Sequence, residues 1–124
     1  MIYSELTSQY LSDYFPELKK EIDYKMTFFE EELPHCLYAD ILNPFLKEYF
    51  ITPKSKNKKL VNKIFCFYEN LAENGDSEVK NLLQVSLLEP LWDCKKSYDG
   101  AQSFMGVKTK IIFNNISSYL NTPK

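Results

Sequence analysis

His35 is the one histidine of this 124-residue chain; it adjoins Cys36 and follows three consecutive glutamates, Glu30, Glu31 and Glu32. These are the residue types that could do chemistry. A cysteine nucleophile needs its thiol within hydrogen-bond reach of the base, and adjacent residues on a helix point about 100° apart, so His35 and Cys36 cannot form that pair locally. Cys66 or Cys94 could meet His35 only through the fold, and neither sits in a known nucleophile signature. A structural histidine near a helix N-terminus is the plainer reading. Zinc would require His35 together with Cys36, Cys66 and Cys94, which lack the close pairing that structural zinc sites use. Neither a metal nor a cofactor is expected, and buried apolar surroundings are the common setting for such cysteines.

Carboxylates transfer protons only when two of them converge on one pocket. On a helix, Glu30, Glu31 and Glu32 would fan over about 200°, so their default role is a solvated acidic face. The functional alternative is a protein contact. Glu31, Glu32, His35 and Asp40 could meet a basic partner surface, and Asp76 with Glu78 could do the same at a turn, acting mainly on association rate and specificity. An enzyme using His35 with a carboxylate, Asp40 or Glu69, is the rival reading, and a regulatory scaffold is a third.

Charge narrows the partner. All 15 basic residues are lysines, so bidentate arginine recognition of phosphate or guanine is absent. Residues 1–52 carry ten acidic and four basic side chains, net −6, and residues 53–124 carry seven and eleven, net +4, which sums to the overall −2. The five lysines from Lys54 to Lys63 have no interleaved aromatics, and nucleic acid is not expected as a partner. No glycine-rich phosphate loop, nucleophile elbow or zincin motif occurs.

Elements that would position these residues are helical. Only three glycines disfavour a turn-rich β architecture, while 44% hydrophobic, 26% charged and 15% aromatic residues describe one globular domain with a ring-filled core. A first helix is predicted from Ser4 to about Tyr14 and a second from Pro16 to about Glu32, with Leu18, Ile22, Met26 and Phe29 inward. Residues 34–50 are either two short helices or one kinked at Pro44, and Asn43 as N-cap with Pro44 behind it favours the break. Thr52 to Lys59 reads as a loop. Leu60, Val61, Ile64, Phe65, Tyr68, Leu71 and Ala72 then form a continuous helical stripe.

Gly75 can end that helix in the left-handed conformation, and Asp76 or Ser77 can cap the next. The second arm, with Val79, Leu82, Leu83, Val85, Leu87 and Leu88, is apolar nearly all round, which marks a central helix. Glu89-Pro90 ends or kinks it, Asp99-Gly100 reads as a turn, and a last helix is predicted from Val107 to Leu120. The result is an all-α irregular bundle of five to seven helices built from stacked hairpins, in the manner of an α-solenoid. An odd cysteine count without a signal peptide or an apolar run long enough to span a bilayer points to a cytoplasmic protein with no membrane association.

Leu33-Pro34-His35, Asp40 with Asn43-Pro44-Phe45, the hairpin from Phe67 to Asp76 with Val79 and Val85-Ser86-Leu87-Leu88-Glu89, and Met105-Gly106-Val107-Lys108-Thr109 carry a resemblance. Over about residues 10–115 the chain resembles a family of small, uncharacterised, all-helical bacterial proteins, chiefly from Gram-positive species. Proteins of that form are similar to the immunity proteins of toxin systems. The resemblance implies a helical protein-binding domain that neutralises a cognate toxin by occluding its active site, and it carries over no contact residue.

Overall fold

The computed structural model describes residues 1–52 and 57–123 of the chain. Residues 53–56 of the expected Thr52–Lys59 loop, including Lys54 and Lys56, lie outside the described residues. Among the described residues there are seven α-helices and no strand: α1 (Ser8–Tyr14), α2 (Lys19–Met26), α3 (Pro34–Ile51), α4 (Lys58–Asn74), α5 (Ser77–Leu82), α6 (Lys95–Gln102) and α7 (Val107–Asn115). They form an irregular all-helical bundle in which α3 packs on α6, α4 packs on α7, and α2 lies against both α1 and α3.

Local chemistry moves several expected boundaries. The first predicted helix is a 3-10 turn, Tyr3–Glu5, followed by α1, because Thr7 caps α1 by accepting the Tyr10 amide at 3.1 Å and Ser4 is left outside. The second ends at Met26 rather than Glu32, so Glu30, Glu31 and Glu32 fall in the α2–α3 loop and not on a helix. The expected break at Pro44 does not occur, and α3 runs through it. Asn43 is therefore no N-cap; its side chain reaches across the bundle instead, as described below.

The α4 stripe is seated as its spacing requires. Val61, Ile64, Phe65, Tyr68 and Leu71 are 0 or 1% exposed, and each fully buried side chain of this size contributes about 1.5–3 kcal/mol of transfer free energy. Phe67, on the flank of the stripe, is also fully buried, with its ring centroid 5.3 Å from Phe15 and 4.8 Å from Tyr14. Gly75 does not take the left-handed conformation: its φ is −75° and ψ 149°, which is extended backbone. Space is what demands glycine there, because a Cβ would come within 2.5 Å of the Leu71 carbonyl oxygen.

The second arm departs most from regular expectation. α5 lasts only to Leu82, then Leu83–Leu88 winds as a π-helix and Glu89–Trp92 as a 3-10 turn. Widening the turn by one residue brings Leu87 and Leu88 round to the face already used by Leu83, and all three are fully buried while Val85 stays 44% exposed. An apolar circumference is thus gathered onto one side. Asp99-Gly100 is no turn; it lies within α6, where a Cβ on Gly100 would meet Phe50 Cδ1 at 2.6 Å. The last helix stops at Asn115 and tightens into a 3-10 turn, Ile116–Ser118, leaving Tyr119 half exposed.

A single contiguous cluster of buried side chains joins all seven helices. Near α6 it is made of rings: Trp92 sits 4.8 Å from Tyr98 and 5.4 Å from Phe113, centroid to centroid. Two polar atoms in the core, the Tyr68 hydroxyl and the Trp92 indole N–H, have no hydrogen-bond partner among the described residues.

Candidate functional site

The six residues singled out from the sequence fall into three places. Glu31 and Glu32 belong to the α2–α3 loop; His35 and Glu78 line a shallow cleft at the N-terminal end of α3, with Asp76 beside it as the N-cap of α5; Asp40 lines a cavity halfway along α3. They do not converge on one pocket.

Two of the carboxylates are occupied by helix ends. Glu32 accepts the Ser8 amide at 2.9 Å and the Ser8 hydroxyl at 2.7 Å, so it satisfies the first turn of α1 from a distance of 24 residues. Asp76 caps α5 by accepting the Val79 amide at 2.8 Å, and its second oxygen accepts the Tyr3 amide at 3.2 Å. Glu69, the other proposed partner for His35, caps α7: it accepts the Lys108 and Thr109 amides and the Thr109 hydroxyl at 2.9–3.0 Å. Each of these carboxylates complements the positive end of a helix dipole.

His35 is the second residue of α3, half-buried, with Nδ1 hydrogen-bonded to the Ser86 hydroxyl and its ring 5.8 Å from Tyr3. The cleft beside it, about 310 Å³, is walled by Tyr3, Ser77, Glu78 and Asn81. Neither Asp40 nor Glu69 lines this cleft; the carboxylate that does is Glu78.

The α2–α3 loop is where charge and apolar surface meet. Tyr24 and Phe28 pack edge-to-face at 5.2 Å and are each 65% exposed, and Leu33 at the far end of the loop is 37% exposed. Between them Glu30 and Glu31 are exposed and make no hydrogen bond or ion pair among the described residues. Sequence reasoning singled out Glu31 here but missed the ring pair, because Tyr24 and Phe28 lie off the Leu18, Ile22, Met26 and Phe29 stripe and nothing in the spacing marks exposed rings.

A cavity of about 590 Å³ lies between α3 and the start of α6 and was not expected. Lys25, Asp40, Lys47, Asp93, Cys94 and Ser97 line it over an apolar floor that includes Leu91. Lys25 Nζ stands 4.0 Å from Asp40 Oδ2. Cys94 is the residue immediately before α6, and its Sγ lies 3.2 Å from the Ser97 hydroxyl. That hydroxyl, then the Ser97 and Lys96 amides and the Lys47 charge, holds the thiol below its ordinary pKa against the opposing effect of burial. The expectation of buried cysteines is corrected: Cys36 and Cys66 are exposed and Cys94 is half-buried, since each falls off the apolar stripe of its own segment. The one sequence signal for this site is Cys94-Lys95-Lys96-Ser97, in which Cys94 precedes α6 and Ser97 is its third residue.

No helix among the described residues is long and apolar enough to cross a membrane. No curated protein and no solved structure matches this sequence. A family does, described as Domain of unknown function (DUF7674), and the match runs over residues 8–121, from the first residue of α1 to beyond the end of α7. Covering that share of the sequence, it makes the chain a member of the DUF7674 family.

Proposed function

We infer that this chain is a protein-binding helical domain whose contact face is the end of α2 with the α2–α3 loop, and that its partner presents a basic surface around an apolar pocket. The observation that carries this reading is the Tyr24–Phe28 pair, two large rings left 65% exposed beside the unpaired acidic run Glu30-Glu31. Exposed aromatics ringed by charge are the anatomy of binding hot spots, where rings fill a pocket and the charges steer the approach. The net −6 of residues 1–52 extends the same field.

Occlusion needs nothing more than such a face on a rigid support, and the reading extends to an immunity role in the cytoplasm: the loop covers the basic active site of a cognate bacterial toxin. Catalysis by His35 has less support, because its imidazole is tied to Ser86 while Asp40 and Glu69 lie elsewhere. The deciding experiment co-expresses the chain with the product of the gene next to its own and scores growth and co-purification. Growth should be restored by the wild-type chain and not by Tyr24→Ala/Phe28→Ala. A chain that neither restores growth nor retains the neighbouring product sinks the immunity role.

A further inference from the structure

We propose that the cavity between α3 and α6 is a seat for a small zwitterionic disulfide of the amino-acid type, and that Cys94 takes half of it as a mixed disulfide. Three features of the cavity point the same way. Its volume of about 590 Å³ lies in the range of sites that enclose small ligands, roughly 300–1,000 Å³. Its walls carry both signs, Lys25 and Lys47 against Asp40 and Asp93, over an apolar floor with Leu91. A molecule bearing an ammonium and a carboxylate on a short apolar frame complements that distribution, and a purely anionic or purely neutral one does not.

The thiol is placed for exchange at the wall of this cavity. Cys94 Sγ has the Ser97 hydroxyl at 3.2 Å, the first amides of α6 beneath it and the Lys47 charge nearby, all of which favour the thiolate. Ser97 is itself 4% exposed, and its hydroxyl oxygen lies 3.0 Å from the Leu91 carbonyl, 3.1 Å from the Cys94 carbonyl and 3.2 Å from the Cys94 sulfur, so its one proton can turn from a carbonyl to the thiolate. In the step, the Cys94 thiolate attacks one sulfur of the bound disulfide. A new S–S bond forms to Cys94, the original S–S bond breaks, and its electron pair leaves on the departing thiolate, which takes up the proton that Cys94 released. Cys94 sulfur is oxidised and the departing sulfur is reduced, so no further oxidant enters.

Cys36 and Cys66 supply the internal reference, being more exposed and not lining this cavity. The fully reduced wild-type chain is treated with cystine and, separately, with the neutral hydroxyethyl disulfide, and adducts are followed at each cysteine by peptide mass spectrometry. With cystine, Cys94 should react at least about threefold faster than either exposed cysteine, because the charged walls concentrate the zwitterion beside its thiol. The preference for cystine over the neutral reagent, normalised to Cys36 and Cys66, should be confined to Cys94. It should shrink in Lys47→Met and in Asp93→Asn, both at exposed positions. Faster adduct formation at Cys36 or Cys66, or equal preference at all three cysteines, overturns the proposal from the wild-type chain alone. An undiminished preference in both variants overturns it as well.

Discussion

The Asn43 side-chain amide donates to the Ser86 carbonyl across the bundle at 2.9 Å, and Ser86 O is the acceptor that residue 90 would serve in a regular helix. Pro90 has no N–H to give it. A helix that winds through a π-turn into a proline is left with an orphan carbonyl in a half-buried position, and α3 supplies the missing donor from 43 residues away. This one bond also fixes α3 against the segment that carries Ser86, the partner of His35.

Asn43→Leu should therefore lower unfolding free energy by about 1 kcal/mol, the lower end of the cost of an unserved carbonyl because Ser86 is only half-buried. Urea denaturation measures it. Pro90→Ala restores a backbone donor, so the loss from Asn43→Leu should be smaller in that background. Strict additivity of the two changes would show that the bond does not serve the proline gap.

Tyr68→Phe should stabilise the chain. The hydroxyl is fully buried with no partner among the described residues, and burial pushes its pKa upward. Deleting one oxygen removes an unsatisfied donor without opening a sizeable cavity, and a gain of about 1 kcal/mol in thermal or urea unfolding is expected. A loss of stability would mean that the hydroxyl has a partner.

Glu69 makes stability depend on acid. Burial pushes its pKa up, but the Thr109 and Lys108 amides, the Thr109 hydroxyl and the Lys108 charge together hold it below the usual carboxylate range. Because the folded-state pKa is depressed, the contribution is fully present above the unfolded pKa and is lost as pH falls through the folded one. Glu69→Gln should cost about 1 kcal/mol near neutrality and flatten the decline in unfolding midpoint at acid pH. An unchanged pH profile in the variant would remove Glu69 from the account.

Phe28→Ala and Tyr24→Ala should change unfolding free energy by no more than about 0.5 kcal/mol each, because the rings bury little area. Retention of the partner should fall at least tenfold at each, about 1.4 kcal/mol or more. Rings that prove indispensable for folding would belong to the core instead.

Helical content and the α4 stripe were legible from spacing alone, since Leu60 through Ala72 repeat with the period of a helix and nothing competes for that face. Other elements were hidden by contacts distant in sequence. Pro44 reads as a break, yet the packing of α3 on α6 and on the π segment carries the helix past it. Asp99-Gly100 reads as a turn, yet glycine is there to admit the Phe50 ring. The π segment cannot be recognised from composition, because six apolar residues in ten look the same whether they encircle a helix or are wound onto one side. Of the candidate residues, Glu31 sits on the proposed face, whereas Glu32 and Asp76 turned out to be caps. The Cys94 cavity was invisible because its walls come from residues 25, 39–47 and 90–97, which only the fold brings together.

Trp92 is the sole indole, wedged between Tyr98 and Phe113 and preceded by Leu91 in the cavity floor. The molecule thus carries its own optical gauge at the α6–α7 seam. Emission from that indole, fed by light absorbed at Tyr98, will register loosening of the seam without any dye being attached.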